Sequence, residues 1–381
     1  MNICITRSQK FSYSETFIQN QIRYLSEKAN VFTLHSGRMP EREEDGSLIH
    51  PYPFWLVNKL VKLVAGRNNW FSHFGLRRYL KRHQIDLVLA NYGLSAVHIF
   101  PVCKKLGIPL VVHFHGYDAS KKSVLKQYGK AYQLLFKYAA AIVVVSNVMR
   151  ERLMSLGAPA EKLFLISYGV DPEKFRPCYE RKDTTTIDFL AVGRFTAKKA
   201  PMTTIRAFSK VAMQNPLARL EIAGAREGLY EECLQLVKEL GLENRVHFAG
   251  VLSPEEVAAR MCRADIFVQH SITAADGDME GMPLSILEAA ASGLPVISTK
   301  SAGIPDAVIN GSTGFLVNEN DEKAMADCMI KLAGDKLLAE EMGKAARVHI
   351  KTHHNLALQT EKLYQLLVTI IQEKKAIHSS P

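Results

Sequence analysis

The sequence predicts an α/β protein built from two doubly wound parallel sheets. Short runs rich in β-branched residues alternate with amphipathic helical stretches along the whole chain, which is typical of parallel sheets with helices on both faces. A turn-rich stretch at 168–172 divides these runs into two series. The length of 381 residues suits two domains of ordinary size.

The predicted strands are distributed evenly between the two series. The first series comprises 2–6, 29–34, 87–91, 110–115, 141–146 and 163–166. The second comprises 187–192, 220–223, 246–248, 266–269, 295–299 and 314–317. We therefore predict an N-terminal domain over 1–177, a C-terminal domain over 178–353 and a last helix at about 354–375.

The composition excludes several classes of protein. Hydrophobic residues make up 47% and charged residues 23%, as in globular domains rather than disordered or fibrous chains. The longest apolar run, 139–145, is far shorter than the roughly 20 residues that span a bilayer. The N-terminus resembles a strand rather than a secretory leader, and the six scattered cysteines predict reduced core thiols without a CxxC site. We expect a cytoplasmic protein.

Positive charge is concentrated in the first half of the chain. Residues 1–180 carry 25 Lys and Arg against 13 Asp and Glu, whereas the remainder carries 23 against 25. The stretches 53–63 and 70–82 mix aromatic, aliphatic and basic residues, which favours contact with an anionic membrane surface. The alternative is an ordinary amphipathic helix pair with its aromatic residues in the core. Nucleic acid is not expected as a partner, because no nucleic-acid-binding motif accompanies the charge.

The segment 276–293 predicts a phosphate-binding helix N-terminus. Pro283 suits the first helical position and Gly293 suits the C-terminal cap. Gly281, just before the helix, lets the backbone approach a ligand closely. The free amides at such a helix start attract anions. Those amides belong to Met282, Leu284 and Ser285.

Two carboxylates in this segment, Glu280 and Glu288, would suit a glycosidase only if they were close together. A fully helical segment would separate them by about 12 Å along the axis. Glycosidase carboxylates lie about 5 to 9.5 Å apart. We therefore expect the two acids to bind different groups, with Glu288 accepting from ribose hydroxyls and Glu280 from a sugar ring.

Cations follow the first predicted strand of the second series. Ligands of open α/β sheets bind beyond the carboxyl ends of the strands. Arg194 and Lys199, which come after Gly193 at such an end, therefore suit a diphosphate leaving group. Lys198 is expected to be solvated.

These motifs resemble those of the retaining family 4 glycosyltransferases of the GT-B fold, which include bacterial polysaccharide hexosyltransferases. The resemblance rests first on Gly193-Arg194 with Lys199, and on Glu280 and Glu288 in an E-x7-E arrangement. Further matches are SETFI at 14–18, HFHGYD at 113–118, VS at 145–146, YGVD at 168–171 and GIPD at 303–306. Together they cover nearly the whole chain.

The resemblance implies two Rossmann-like domains that face each other across a cleft, with the last helix crossing back to the first domain. The residues that it implies for catalysis are Arg194, Lys199, Glu280 and His115. Those that it implies for donor binding are Gly193, Gly224, Gly281, Met282, Pro283, Leu284, Ser285 and Glu288. Those that it implies on the acceptor side are Ser14, Glu15, Thr16 and Asp118.

The chain departs from the family pattern in two places that affect the donor pocket. Ala200 stands where the family usually has Gly, and the turn at Gly224 has one glycine of the usual two. No metal or other cofactor is expected. The D-x-D at 276–278 precedes the phosphate-binding helix, where Arg194 and Lys199 already supply positive charge, and the pair His113 and His115 lacks a third ligand nearby.

The expected activity is the transfer of a hexose, with retention, from a nucleotide-diphosphate sugar to a hydroxyl of a polyprenyl-diphosphate-linked glycan. The resemblance suggests bacterial surface-polysaccharide biosynthesis, and the basic, aromatic first domain suits an enzyme that is peripheral on the inner face of the plasma membrane. Two alternatives stay open: a nucleotide-sugar epimerase of the same fold, and a non-catalytic nucleotide-sugar sensor. A dinucleotide-dependent dehydrogenase is not expected, because no G-x-G-x-x-G follows either first strand.

Overall fold

A computed structural model describes residues 1–10, 15–50, 70–178 and 185–379. The chain forms two compact units. One comprises Met1–Ile166 with Gln359–Pro381, and the other comprises Ser167–Leu358. We call them unit 1 and unit 2. The division falls before the predicted boundary at 177/178, and the return to unit 1 comes after the predicted start of the last helix.

The strands agree with the predicted series except for one short addition. They are β1 Asn2–Thr6, β2 Asn30–His35, β3 Arg42–Glu43, β4 Leu87–Asn91, β5 Leu110–His113, β6 Ala141–Val144, β7 Leu163–Leu165, β8 Ile187–Val192, β9 Ala218–Ala223, β10 Val246–Gly250, β11 Ile266–Val268, β12 Val296–Thr299 and β13 Gly314–Val317. The unpredicted strand β3 has two residues, too few for a periodic pattern, and pairs antiparallel with β2.

Helices separate most of the strands. They are α1 Thr16–Ser26, α2 Trp70–Arg82, α3 Gly93–Leu106, α4 Tyr117–Ser120, α5 Lys122–Tyr138, α6 Asn147–Ser155, α7 Pro201–Gln214, α8 Tyr230–Glu239, α9 Pro254–Arg263, α10 Leu284–Ala291, α11 Ile304–Ala307, α12 Glu322–Gly334, α13 Lys336–His353 and α14 Leu356–Ser379. Short 3₁₀ turns occupy Ala160–Lys162 and Ala197–Lys199.

Each unit contains one doubly wound sheet, as predicted. The order in unit 1 is β3-β2-β1-β4-β5-β6-β7, and the order in unit 2 is β10-β9-β8-β11-β12-β13. In both sheets the winding reverses beside the first strand, between β1 and β4 in unit 1 and between β8 and β11 in unit 2. Such a reversal is a topological switch point, where ligands of open α/β sheets bind. The switch points therefore locate the candidate sites.

Separate cores stabilise the two units. In unit 1, alternate residues of β1 and β4 such as Ile5 and Leu89 are fully buried with Leu363 and Leu367 of α14. In unit 2, the rings of Phe189 and Phe208 meet edge to face, with centroids 5.8 Å apart. Burial of this apolar surface is the main driving force for folding each unit.

The prediction of six reduced thiols is wrong for one pair of cysteines. Cys178 and Cys262 form a disulfide, with Cα atoms 5.1 Å apart, a separation that is normal for such a bond. They are 84 residues apart in sequence, so no local spacing could reveal the pairing. The other four cysteines are free, and Cys4, Cys103 and Cys233 are buried.

No helix within the described ranges combines the length and the apolar composition that a membrane crossing requires.

Candidate functional site

The predicted site residues of unit 2 converge at the carboxyl edge of its sheet. Gly193 and Arg194 directly follow β8, and Lys199 ends the 3₁₀ turn after them. Gln269 follows β11, the neighbouring strand across the switch point. The loop that contains Glu280 leads into α10. Three chain segments that are distant in sequence therefore meet at one edge.

A buried ion pair lies at the centre of this edge. Lys199 Nζ lies 3.2 Å from Glu280 Oε1, and the two side chains are only 15% and 12% exposed. Lys199 Nζ also donates to Gln269 Oε1 at 3.3 Å. The predicted proximity of Lys199 to the Gly281 segment is thus present in the structure. The pair holds both charged groups in fixed positions beside the start of α10.

Gln269 organises the surroundings of the pair and was missed in the sequence. Its Oε1 accepts a second hydrogen bond from Ser285 Oγ at 3.0 Å, and its Nε2 donates to Ser271 Oγ at 2.8 Å. Glutamine belongs to no part of the motif that resembles the family. The signal that could have found it is its position directly after a strand next to the switch point.

Burial and neighbouring charges act in opposite directions on the pKa values of Glu280 and Lys199. Burial alone would raise the pKa of Glu280, but Lys199, Lys198 and Arg194 lower it, so this side chain is a carboxylate. Burial lowers the pKa of Lys199, and the neighbouring Glu280 opposes that shift. Arg194 is exposed. The site thus presents more positive than negative charge to an incoming anion.

Lys198 is not the solvated residue that the sequence suggested. Its Nζ lies 3.1 Å from Asp278 Oδ1, with the two side chains 12% and 23% exposed. The second acid of the D-x-D is therefore paired with a lysine in the structure. Among the described residues, no group of three or more His, Cys, Asp or Glu side chains could hold a metal ion.

Two predicted donor-binding glycines are needed for close packing. A Cβ atom on Gly193 would lie 2.6 Å from Lys199 Cδ, so glycine lets the lysine stem cross the strand end. A Cβ atom on Gly224 would lie 2.1 Å from the Gly193 carbonyl oxygen. Gly224 therefore allows the ends of β8 and β9 to approach each other. Gly193 and Gly224 thus allow the close packing that positions Lys199 at the end of β8.

Helix α10 is shorter than predicted at its start. Pro283 is the N-cap with φ −68° and ψ 114°, rather than the first helical residue, and the helix spans eight residues. The residue that follows a C-terminal cap is often in the left-handed region, and Gly293 there has φ +79°. The amides of Leu284 and Ser285, in the first turn, have no intrahelical acceptor. Met282 and Gly281 are buried in the loop before them.

Glu288 lies in the second turn of α10 and behaves differently from Glu280. Burial raises its pKa to about 7, and the charges of Lys174 and Lys199 only partly oppose this. The two acids therefore lie in distinct environments, as the separate roles predicted for them require. The carboxyl of Glu288 therefore keeps its proton to higher pH than an exposed glutamate does.

The remaining predicted residues lie in unit 1, around the ends of β4 and β5. His115 Nε2 and Asn91 Oδ1 are 2.9 Å apart, and the His115 ring lies 4.6 Å from Phe17 and 4.7 Å from Tyr92 between centroids. His113 Nδ1 lies 3.1 Å from Gln21 Nε2. Burial lowers the pKa of His115 and lowers that of His113 to about 3. Both imidazoles are therefore neutral at physiological pH.

Asp118, predicted on the acceptor side, is fully buried and binds backbone. Its Oδ1 accepts from the amides of His115 and Gly116 at 3.0 Å each, and its Oδ2 accepts from the amide of Gly93 at 2.9 Å. Burial raises the pKa of Asp118 while these three donors oppose the shift. The side chain thus ties the loop after β5 to the start of α3, and positions His115.

The other acceptor-side predictions lie near α1. Glu15 precedes this helix and accepts from Tyr92 Oη at 2.8 Å, and Thr16 is the first helical residue. Ser14 lies outside the described residues. Tyr92 itself has φ +70°, a strained backbone conformation for a residue other than glycine. Such strain is concentrated at functional sites.

Comparison with known proteins gives matches to both units. The family profile "Glycosyl transferases group 1" matches residues 177–349, and the profile "Glycosyltransferase Family 4" matches residues 14–174. WcaL of Escherichia coli K12, a protein assigned to colanic acid biosynthesis as a glycosyltransferase, is 33% identical over 326 residues. This alignment covers 84% of the chain and 79% of WcaL.

Two further proteins extend the comparison. The UDP-Gal:α-D-GlcNAc-diphosphoundecaprenol α-1,3-galactosyltransferase of Escherichia coli is 26% identical over 336 residues, with 84% of each chain covered. HepE of Anabaena, solved in complex with UDP-glucose, superposes with a TM-score of 0.76 at 18% identity, over 97% of this chain and 100% of HepE. The latter likeness shows the fold.

Sheet topology, sequence matches and structural likeness agree on one class: the protein is a glycosyltransferase enzyme with the GT-B fold. Both units match, and the identity to WcaL extends over most of that relative. The chain therefore belongs to glycosyltransferase family 4.

Proposed function

We propose that this enzyme transfers a hexose from a nucleotide-diphosphate sugar to a hydroxyl of a lipid-linked glycan, with retention of anomeric configuration, in bacterial surface-polysaccharide biosynthesis. The observation that carries the donor half of the proposal is the buried pair of Lys199 and Glu280 next to the start of α10, 3.2 Å apart. WcaL is assigned to exopolysaccharide biosynthesis, and HepE is solved with UDP-glucose.

The geometry of unit 2 suits the departure of a diphosphate. The ammonium of Lys199 and the guanidinium of Arg194 supply positive charge at the strand end, and the amides of Leu284 and Ser285 supply donors at the helix start. Donors that are fixed before the reaction stabilise charge as it develops, typically by about 3 kcal/mol each. Glu280 would accept from hydroxyls of the transferred hexose, and Glu288 from the ribose.

The chemical step follows from what the site offers. The bond between the anomeric carbon and the donor phosphate oxygen breaks, and a bond to the acceptor oxygen forms on the same face. The acceptor proton passes to the departing phosphate oxygen, so the products are the glycoside and the nucleoside diphosphate. Because Glu280 is held by Lys199, we assign it to sugar binding rather than to nucleophilic attack. The role of the protein is positioning and stabilisation of the leaving group.

A lipid-linked acceptor is supported by a relative and by the surface of unit 1. The Escherichia coli galactosyltransferase described above acts on a diphosphoundecaprenol-linked sugar. Helix α2 exposes Phe74, which is 47% accessible, together with Arg78, Lys81 and Arg82, while Leu76 and Leu80 are buried. An aromatic residue among cations suits an anionic lipid surface. The other stretch predicted for this role, 53–63, lies outside the described residues.

The transfer reaction can be tested with purified protein and a panel of UDP-, GDP-, ADP- and dTDP-hexoses. A donor at 100 times its dissociation constant should stabilise the fold by roughly 2.7 kcal/mol, which a thermal-shift screen detects. With that donor and a polyprenyl-diphosphate-linked sugar, NMR should show a glycoside with the donor's anomeric configuration. An inverted product would refute retention. A converted donor sugar without acceptor would indicate the epimerase, and donor binding without transfer or hydrolysis would indicate the sensor.

The membrane contact needs a separate test. The full chain should sediment with phosphatidylglycerol vesicles at physiological salt, and the double variant Arg78→Glu/Lys81→Glu should lose most of that binding through charge repulsion. The double variant Lys336→Glu/Lys344→Glu, at exposed positions of α13 in unit 2, changes the net charge equally and should bind like the parent. Failure of the parent protein to sediment would reject the peripheral location and point to a soluble acceptor.

A further inference from the structure

Gln269 lies at the switch point of unit 2, beside the end of β8. Phe267 of β11 pairs with Leu190 of β8, and the same register two residues further on places Gln269 next to Val192. The backbone amide of Gln269 donates to a carbonyl of β12 at 3.1 Å, and its carbonyl accepts from a serine hydroxyl of β12 at 2.7 Å. Only 4% of the residue is exposed. Its side chain therefore starts from a backbone that is fixed against β12.

The directed hydrogen bond to the ammonium of Lys199 comes from Gln269 and not from Glu280. Lys199 Nζ donates to Gln269 Oε1 at 3.3 Å. Glu280 Oε1 lies 3.2 Å from the same nitrogen, but within the described part of the chain this buried oxygen has no hydrogen-bond partner. A Coulomb attraction depends on distance, whereas a hydrogen bond also depends on the angle at the hydrogen. Glu280 thus holds the charge in place, and Gln269 sets the direction of an N–H bond.

Neighbouring serines fix the orientation of the Gln269 amide group. Gln269 Oε1 also accepts from Ser285 Oγ at 3.0 Å, and Gln269 Nε2 donates to Ser271 Oγ at 2.8 Å. A reversed amide would place its NH₂ group opposite the ammonium, so that two donors would face each other. The amide oxygen therefore faces Lys199, and this one atom connects the end of β8 with the first turn of α10.

The neutral amide directs the ammonium without cancelling its charge. Five charged side chains surround this strand end, and three cations against two acids give a sum of +1: Arg194, Lys198, Lys199, Asp278 and Glu280. A carboxylate at position 269 would accept the same hydrogen bonds but would reduce this sum to zero. Glutamine therefore leaves the excess positive charge for an anionic ligand.

We infer that Gln269 is a positioning residue for the transfer reaction, which aims the ammonium of Lys199 at the departing diphosphate and leaves Glu280 Oε1 for a hydroxyl of the hexose. This inference rests on the proposed function and deepens it. An ammonium has three N–H bonds, and directing one of them to Gln269 stops rotation and fixes the other two. Donors that are fixed in advance stabilise developing charge without reorganisation.

The kinetic test compares Gln269→Leu with the parent enzyme, with UDP-glucose, UDP-galactose and GDP-mannose as donors and release of nucleoside diphosphate as the readout. The kcat should fall by roughly 10- to 100-fold, because a hydrogen bond to a charged group is lost. The KM for the donor should change less than about threefold, because the charge of Lys199 remains. Gln359→Leu, an equally buried glutamine of α14 that is 5% exposed, is the matched control and should keep the parental kcat.

A double-mutant cycle distinguishes action through Lys199 from a general effect on packing. In a Lys199→Ala background, Gln269→Leu should lower kcat by less than about threefold further, because the group that it positions is already absent. The same loss in both backgrounds would overturn the inference, and so would a parental kcat in folded Gln269→Leu protein. If Gln269→Leu does not fold, Gln269→Met, which preserves side-chain length, takes its place.

NMR of the full chain with ¹⁵N-labelled lysine tests the positioning without any donor. The spectrum of Lys199→Ala identifies the Lys199 ammonium signal. Its hydrogens should exchange with water at least about tenfold more slowly in the parent and in Gln359→Leu than in Gln269→Leu. Equal exchange in all three proteins would overturn the inference. Slow exchange that depends on Gln269, in a parent that turns over none of the donors, would refute the proposed function and leave the positioning of Lys199 intact.

Discussion

Units 1 and 2 repeat one strand order but carry opposite chemistry at equivalent switch points. In unit 2 the edge between β8 and β11 holds a buried ion pair, Lys199 with Glu280, and further cations around it. In unit 1 the edge between β1 and β4 holds neutral amides and neutral imidazoles, and its one buried arginine is paired. The comparison teaches that this fold fixes where a ligand lies, whereas the residues after the strands determine what it is.

The two units also stabilise their buried carboxylates by different means. Glu280 is surrounded by side-chain cations that a ligand can engage. Asp118 accepts hydrogen bonds from three backbone amides of its own unit. The first arrangement suits a group that works on a substrate, and the second suits a group that holds a loop in place. Substitutions of Lys199 and Asp118 test this contrast, and substitutions of Glu288 and Ala200 test two further features of unit 2.

The largest effect is expected from Lys199→Ala. The variant removes the buried ammonium that we assign to the leaving diphosphate, so turnover should fall by roughly 10²–10³-fold. Steady-state transfer assays measure the loss, and thermal unfolding checks that the protein remains folded. Lys198, the neighbouring lysine, pairs with Asp278 instead. Lys198→Ala is therefore the control, and its turnover should fall less than about tenfold. A folded Lys199→Ala protein with parental turnover would remove Lys199 from the site.

The next effect concerns stability in unit 1. Asp118→Ala leaves three buried amides without an acceptor, and at about 1–3 kcal/mol for each such group the free energy of unfolding should fall by about 4 kcal/mol. Urea denaturation measures this change. Asp278→Ala in unit 2 breaks a partly exposed ion pair and should cost at most about 1 kcal/mol. Equal costs for the two variants would contradict the structural role of Asp118.

Glu288→Gln should show a pH-dependent gain in stability. Burial raises the pKa of Glu288 from 4.5 to about 7, so the folded state holds its proton more tightly than the unfolded chain does. Below pH 4.5 the protonated carboxyl makes its full contribution to the free energy of unfolding. That contribution is lost as the pH rises through 7. The neutral Gln avoids the loss, so its advantage should grow from near zero at pH 4.5 to at most about 3 kcal/mol at pH 8.

Denaturation of both proteins at pH 4.5 and at pH 8 measures this difference. Gln235→Glu on the exposed face of α8 is the control substitution and should show no comparable dependence, because its side chain is solvated. An advantage of Glu288→Gln that is the same at both pH values would show that burial does not raise the pKa of Glu288.

The smallest effect is expected at Ala200. This residue has φ +35°, a left-handed conformation that is costly for alanine. Ala200→Gly removes the strain but adds chain entropy to the unfolded state, so a net gain of about 0.5 kcal/mol is expected. Ala212→Gly, inside α7, should instead cost about 1 kcal/mol. Urea denaturation measures both changes. A loss of stability in both variants would contradict the claim that the backbone at Ala200 is strained.

Most of the fold was predictable because it depends on local patterns. Alternating strand and helix periods reveal a parallel sheet, and the strands Ile187–Val192 and Gly314–Val317 match their predicted limits. The ends of strands were predicted less accurately where tertiary contacts determine them. The strand predicted to reach His115 stops at His113, because the chain turns there to give its amides to Asp118.

The site was predictable where a residue type is distinctive. Charged residues next to a glycine, such as Arg194 and Glu280, belong to a recognisable motif, whereas Gln269 and Asn91 do not. The pairing of Lys198 with Asp278 joins residues 80 apart, and the disulfide joins residues 84 apart. Such contacts depend on the packing of loops, which no spacing in the sequence reveals. Amide side chains at strand ends require knowledge of the strand order, because only the topology identifies the switch point.

The return of α14 to the first unit has a consequence for biosynthesis. Leu363, Leu367, Ile370 and Ile371 fill the interior beside β1 and β4, and Glu361 binds Lys28 and Tyr24 of the α1 region. A ribosome therefore releases the amino-terminal sheet long before its last apolar partner has been synthesised. Until α14 has emerged, that sheet exposes an apolar face, the kind of surface that chaperones bind.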